Sequence, residues 1–121
     1  MTSNAAADAA PSPAERVVQA QVDAYNRHDL EAFAATYAPD VRLYNHPDQL
    51  QLSGIDALRQ RYGQLFAMAP ELHGDILRRI THGNYVVDHE YVTGAPGGAE
   101  LQAVAIYEVR DGKIQAVWFI P

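Results

Sequence analysis

The chain has no cysteine among its 121 residues. This absence excludes disulfide bonds, zinc–thiolate sites and a cysteine nucleophile. Clusters of basic residues are also scarce, because the formal net charge is −6 and the only adjacent basic pair is Arg78-Arg79. With so little concentrated positive charge, binding to nucleic acid or to an anionic membrane is disfavoured.

Targeting segments and metal or phosphate motifs are missing as well. The N-terminus lacks the basic and apolar regions of a signal peptide, and no apolar run approaches the length of a membrane span. We therefore expect a soluble, cytoplasmic protein. The glycine-rich residues 94–98 include a proline and join two predicted strands, unlike a phosphate-binding loop. The histidines show no metal-ligand spacing on one element, so we expect no metal and no cofactor. They are His28, His46, His73, His82 and His89.

The length suits one domain, expected over residues 13–121 after a disordered tail over residues 1–12. Ser12-Pro13-Ala14-Glu15 is a capping box that predicts a helix running to about His28. Asp29 can cap a second helix, in which Leu30, Phe33 and Tyr37 repeat at helical spacing until Pro39.

The remaining chain alternates turn signals with strand-like segments. We predict a strand over residues 41–46, a third helix over 55–69, and strands over 72–81, 85–93, 100–110 and 113–120. Asp111-Gly112 is a strong signal for a two-residue hairpin turn. Three helices followed mainly by antiparallel strands predict an α+β fold with the helices packed on one face of a curved sheet.

The strand over residues 85–93 carries three consecutive ionisable residues. Since strand side chains alternate, Asp88 and Glu90 share one face, and His89 and Tyr91 share the other. If the carboxylates face inward, they repel and one stays protonated as a potential acid. If His89 and Tyr91 face inward, they provide a base and a donor. Alternatively, one set makes cross-strand pairs at the surface or a dimer interface, with Arg78 or Arg79 as partners.

Several segments together resemble the NTF2-like superfamily, within it the SnoaL-like and ketosteroid-isomerase-like branch. The resemblance covers about residues 14–120. The matching segments are Val17-Val18-Gln19, Tyr25-Asn26-Arg27-His28-Asp29-Leu30, Tyr37-Ala38-Pro39-Asp40-Val41, Ser53-Gly54, and residues 107–114.

This resemblance implies a cone-shaped, cystatin-like α+β barrel with a pocket between the helices and the concave face of the sheet. It also implies a homodimer built from the outer faces of two sheets. The ketosteroid isomerase residues fall on Gln21, His46 and a position near Ala105, and all three differ in type from that enzyme's tyrosine and two aspartates. The chain therefore looks like a family member without the steroid isomerase machinery, closer to members that work with histidine and aspartate.

The candidate catalytic residues are His46, Asp88 and Glu90. The resembled fold directs the face of Arg42, Tyr44 and His46 into the pocket, where an imidazole titrating near neutrality suits a general base. The alternative for His46 is a structural hydrogen bond at the end of a strand. The candidate ligand-binding residues are Gln21, Tyr25, Tyr44, Tyr62, His89 and Tyr107. Of Trp118 and Phe119, we expect one in the pocket and the other on the outer face of the sheet.

These residues favour a cofactor-free isomerase or lyase that moves protons on a small hydrophobic carbonyl compound. The first alternative is a non-catalytic protein that binds a small molecule in the same pocket. A protein-interaction module of the nuclear-transport-factor type is the least favoured, because the sequence offers no argument for a peptide groove.

Overall fold

The computed structural model describes residues 10–121, in which three helices pack against one face of a six-stranded sheet. The α+β architecture predicted from the sequence is confirmed. The first nine residues of the predicted tail lie outside the described part of the chain. Within that part, no helix has both the length and the apolar character needed to cross a membrane.

The first helix, α1, spans Pro13–Arg27 and begins at the predicted capping box. Ser12 Oγ accepts from the Glu15 N–H at 3.2 Å, and the Glu15 carboxylate accepts from the Ser12 N–H at 3.4 Å. The short helix α2, Leu30–Ala34, is capped by Asp29, and α3 spans Ile55–Met68. The caps therefore determine where α1 and α2 start.

The sheet contains β1 (Tyr37–Asn45), β2 (Gln49–Ser53), β3 (His73–His82), β4 (Tyr85–Ala95), β5 (Ala99–Arg110) and β6 (Lys113–Ile120). Its strand order is β2-β1-β6-β5-β4-β3, and only the β1–β6 pair is parallel. The β5–β6 hairpin turns at Asp111 and Gly112, which both have positive φ, as the sequence predicts.

Two predictions about the first half of the chain are wrong. The second helix ends at Ala34, and Tyr37 begins β1 instead of continuing the helix. The Thr36 carbonyl accepts from the Ile114 N–H at 2.8 Å. From this point the backbone pairs with β6 and does not continue as a helix. Pro39 lies where the β1–β6 register is interrupted, which suits a residue without an N–H.

The second error is that the sequence prediction omits strand β2. In the structure this strand follows the turn at Pro47 and pairs with β1. The alternation in Gln49-Leu50-Gln51-Leu52 is its signal in the sequence. Leu52 lies opposite Leu43, and both side chains are buried.

The core lies between the helices and the concave face of the sheet. Its most deeply buried large side chains come from α2 (Phe33), α3 (Leu58), β1 (Leu43) and β6 (Ile114). Apolar side chains on alternating strand positions therefore bury one face of the sheet under the helices.

Residues of the Tyr25–Leu30 segment attach the end of α1 to the start of β3. The Asn26 side chain donates to the Gly74 carbonyl at 3.0 Å and accepts from the Gly74 N–H at 2.8 Å. His28 adopts left-handed backbone geometry, its Nε2 lies 2.8 Å from the Leu72 carbonyl oxygen, and its ring stacks on Phe66. This attachment holds α1 across the concave face of the sheet.

Gly94 allows β4 to approach the chain that enters β3. Its φ is +68°, and a Cβ at this position would lie 2.0 Å from the Glu71 carbonyl oxygen. Only glycine fits both the backbone conformation and this close approach.

Candidate functional site

A cavity of about 270 Å³ lies between the helices and the concave face of the sheet. Its polar lining residues are Gln21, Tyr25, Tyr37, Tyr62, Glu90 and Tyr107. Apart from Gly74, the other lining residues are apolar, and Phe119 is among them. A concave, mostly apolar space with a few convergent polar groups is typical of a small-molecule site.

The orientation of β4 shows which of its two faces is directed inward, a point that its sequence leaves open. Asp88 lies opposite Ala105, which is buried, and Glu90 lies opposite Ala103, which lines the cavity. Both carboxylates therefore face inward. His89 lies on the outer face, where its Nε2 is 2.8 Å from Gln102 Oε1, and the Tyr91 hydroxyl donates to Glu100 there.

Asp88 is fully buried and engaged in a bidentate ion pair with Arg79 on β3. Arg79 Nε donates to Oδ1 at 2.7 Å, and Nη2 donates to Oδ2 at 2.9 Å. Arg79 Nη1 also donates to Gln19 Oε1 on α1 at 2.9 Å. The hydrogen bond with Asp88 raises the pKa of Arg79. Asp88 is thus held as a paired carboxylate beside the cavity, outside its lining.

Glu90 makes no ion pair with a basic residue in the described part of the chain, and it lines the cavity. Burial raises its pKa from the ordinary 4.5 to about 7, and the nearby Asp88 charge adds to this rise. A hydrogen bond donated by the Tyr107 hydroxyl to Oε2 at 3.0 Å and the Arg79 charge act in the opposite direction. Glu90 can therefore exchange a proton near neutral pH.

The four cavity tyrosines remain protonated at neutral pH. Burial raises the pKa of Tyr62 to about 12 and raises the pKa values of Tyr25, Tyr37 and Tyr107 as well, with a further contribution from the Glu90 charge. Neutral phenols are hydrogen-bond donors, so the cavity wall can donate to a ligand oxygen.

The structure brings together five of the predicted site residues: Gln21, Tyr25, Tyr62, Glu90 and Tyr107 all line the cavity. Gln21 is buried, and within residues 10–121 its Oε1 has no hydrogen-bond partner. Tyr44, His46, His89 and Asp88 do not belong to the lining. The role of each predicted residue in binding or catalysis stays a prediction.

The expectation that the face of Arg42, Tyr44 and His46 looks into the pocket is wrong. Tyr44 lies opposite Trp118 and stacks on it, with ring centroids 5.7 Å apart and planes 8° apart. His46 is exposed beyond the end of β1, and its N–H donates to the Phe119 carbonyl at 2.8 Å. Inward positions of β1 are taken by Val41 and Leu43, which are buried.

Tyr37 also lines the cavity, although the sequence places it in the predicted second helix and gives no indication of this role. Tyr37, Val41 and Leu43 are separated by even numbers of residues, so a strand beginning at Tyr37 places all three on the inner face.

For the last strand, Phe119 is the aromatic residue that lines the cavity and Trp118 the one outside it.

Because Asp88 is buried and paired, we expect Asp88→Asn to destabilise the fold by about 3 kcal/mol, since it leaves Arg79 without its counter-charge. Urea denaturation at pH 7 measures this loss. The exposed Asp75 provides the matched control, and Asp75→Asn should change stability by less than about 0.5 kcal/mol.

A double variant with Asp88→Leu and Arg79→Met removes both charges and should be more stable than Asp88→Asn. An Asp88→Asn protein as stable as the wild type would show that the pair does not hold the fold.

Because the pKa of Glu90 is raised by folding, its protonated form stabilises the native state. This contribution is complete below about pH 4.5 and is lost as the pH rises through about 7. Relative to wild type, Glu90→Gln should therefore gain up to about 3 kcal/mol of unfolding free energy between pH 4.5 and pH 8.

Denaturation curves across this pH range, with the exposed Glu71→Gln as control, test the prediction. A stability difference that stays constant from pH 4.5 to pH 8 would contradict a raised pKa for Glu90.

Among the described residues, no three His, Asp or Glu side chains lie close enough together to share a metal ion. Proton transfer and hydrogen bonding are the chemistry that the lining residues themselves offer, through Glu90 and the tyrosine hydroxyls.

Solved structures share this fold over most of their length. A cystatin-fold protein from Novosphingobium aromaticivorans is 25% identical, with a TM-score of 0.82 over 93% of this chain and 100% of the other. A protein provisionally assigned as a SnoaL-like polyketide cyclase from Jannaschia is 20% identical, with a TM-score of 0.75 over 93% and 89%. A provisionally assigned ketosteroid isomerase from Kribbella flavida is 20% identical, with a TM-score of 0.76 over 89% and 76%.

No curated protein matches the sequence. The family model of the SnoaL-like domain matches residues 18–117, which include every lining residue except Phe119. This match spans most of the chain, and the fold agrees with the NTF2-like architecture that the sequence predicts. The chain therefore belongs to the SnoaL-like domain family.

Proposed function

We propose that the cavity binds a small hydrophobic carbonyl compound and that the protein catalyses cofactor-free proton transfer on it, as an isomerase or lyase. The observation that carries this proposal is the position of the Glu90 carboxyl group in the lining of a mostly apolar cavity, where burial raises its pKa to about 7. A general base or acid is most effective when its pKa lies near the working pH. The isomerase and cyclase assignments of two similar structures agree with a small-molecule substrate.

In the proposed reaction, ionised Glu90 removes a proton from the carbon beside the carbonyl group. The negative charge that develops on the carbonyl oxygen receives hydrogen bonds from the Tyr25 or Tyr62 hydroxyl. Glu90 then returns the proton to another carbon in an isomerisation, or donates it to a departing hydroxyl group, which leaves as water in a lyase reaction. Tyr107 binds Oε2 of Glu90, so it orients the carboxylate and leaves Oε1 for the substrate.

Glu90 carries the acid–base role in this proposal, whereas Asp88 and His46 do not. Both oxygens of Asp88 already accept hydrogen bonds from Arg79, and its side chain does not line the cavity. His46 is exposed and lies outside the lining. Asp88 instead acts on the reaction through its charge, which adds to the rise in the pKa of Glu90 that burial causes.

The isomerisation of 3-cyclohexen-1-one to its conjugated isomer tests this proposal, because it needs only proton removal beside a carbonyl and proton return. We expect kcat/KM to rise with pH and level off above about pH 7, as Glu90 ionises. Glu90→Gln should lower kcat/KM by at least about 100-fold. The ultraviolet absorbance of the conjugated ketone reports the rate.

The variants His46→Ala and Glu71→Gln should keep the wild-type rate. Loss of activity in His46→Ala together with unchanged activity in Glu90→Gln would assign the base to His46 and refute the proposal.

The second candidate function is non-catalytic binding of a small molecule. It is favoured by the pairing of polar groups with each other, since Tyr107 binds Glu90 and Arg79 binds Asp88. Saturable binding of cyclohexanone, seen as NMR shifts of Tyr62 or Glu90, without any turnover of 3-cyclohexen-1-one would favour this alternative.

We also propose that the protein is a homodimer formed through the outer face of the sheet. An apolar row crosses five strands, because Tyr44, Trp118, Ile106, Val87 and Ile80 lie directly opposite one another on neighbouring strands. Ile80 is 68% exposed in the single chain. A contiguous apolar face of this kind is typical of a surface that a symmetric partner covers.

Ile106, on β5, is at the centre of this row, so Ile106→Glu should convert the dimer to a monomer. Light scattering should then show the chain mass of 13.3 kDa in place of twice that value. Met68 on α3 is also 68% exposed but lies outside the sheet, so Met68→Glu should stay dimeric. A wild-type protein that is monomeric at micromolar concentration would contradict the dimer.

A further inference from the structure

Within residues 10–121, the cavity lining has one acidic side chain, Glu90, and no basic one. Among the described residues that line it, none is lysine, arginine or histidine. Arg79 is near enough to act on Glu90 through its charge, but it is already bonded to Asp88 and Gln19. Once Glu90 loses its proton, its charge therefore has no counter-ion within the lining.

Aromatic rings form much of the wall around this carboxyl group. The aromatic lining residues are Tyr25, Tyr37, Tyr62, Tyr107 and Phe119. The Tyr25 and Tyr62 rings, both in this lining, pack edge to face with centroids 6.4 Å apart and planes inclined by 67°. The faces of aromatic rings carry negative potential and attract cations, most strongly where water is excluded.

From this arrangement we propose that the cavity also binds a small organic cation of the alkylammonium class. Its charge would lie against the Glu90 carboxylate, and its alkyl groups would contact the aromatic rings and the apolar residues Val22 and Leu65. A carboxylate and an aromatic wall attract such a cation together, whereas an anion meets repulsion from Glu90 and finds no basic partner. This proposal uses the same cavity as the proposed reaction but requires no catalysis.

Glu90 is the group whose ionisation governs this binding. The charged or titratable groups around it are Tyr25 on α1, Tyr37 on β1, Tyr62 on α3, Arg79 on β3, Asp88 on β4 and Tyr107 on β5. The tyrosines keep their protons because their pKa values are raised, and Arg79 stays paired with Asp88. Cation binding should therefore strengthen as the pH rises through about 7, where Glu90 becomes charged.

Choline and 3,3-dimethylbutan-1-ol provide a matched pair of probes, because they have nearly the same shape and only choline is charged. Calorimetric titration at pH 8.5 should show choline binding at least about tenfold more tightly than the alcohol, a difference within the range of ion pairing and cation–π contacts combined. At pH 5.5 the preference should disappear.

Two variants locate the source of the preference. Glu90→Gln, which keeps the side-chain shape, should abolish it at pH 8.5, and Tyr62→Leu should weaken choline binding more than alcohol binding. The exposed Glu71→Gln should bind both probes as the wild type does.

Equal or tighter binding of the alcohol at pH 8.5 would overturn the proposal, as would undetectable choline binding or a choline preference that survives in Glu90→Gln. These results are separate from the turnover of 3-cyclohexen-1-one, so either proposal can fail while the other holds.

Discussion

The ion pair between Asp88 and Arg79 determines the chemical character of the cavity. Strand alternation places Asp88 and Glu90 on the same inward face, where two unpaired carboxylates would repel each other. Arg79 donates to both oxygens of Asp88 and also to Gln19 on α1, so Asp88 is paired with a counter-charge at the boundary of the cavity. Glu90 is left as the acid in the cavity lining, and burial then raises its pKa into the neutral range.

Most of the fold follows from local signals in the sequence, whereas the site depends on contacts between distant residues. The capping box at Ser12, the cap at Asp29 and the turn at Asp111-Gly112 each encode their own geometry. The inward face of β4 could not be predicted, because both of its faces carry ionisable residues. Arg79, and not Arg78, lies opposite Asp88 because the β3–β4 register shifts between Ile76 and Arg78. No local sequence pattern indicates this shift. The prediction that His46 faces the pocket fails for a similar reason. The inner face of β1 depends on its pairing with β2 and β6, which no local pattern in β1 encodes.

Both proposed ligand classes depend on the ionised form of one side chain, Glu90. For a carbonyl compound, the neutral tyrosines donate hydrogen bonds to the oxygen and ionised Glu90 is the base that acts on the neighbouring carbon. Ionised Glu90 within an aromatic wall suits a cation. By linkage, a bound cation must lower the pKa of Glu90 to the same extent that ionisation of Glu90 strengthens cation binding.

The most direct test of this account is the titration of the Glu90 side-chain carboxyl carbon by NMR in the ligand-free protein, with the resonance assigned by its loss in Glu90→Gln. We expect a midpoint near pH 7. A midpoint near the ordinary value of 4.5 would show that the cavity does not desolvate Glu90, and it would contradict the acid–base role on which the proposed reaction depends.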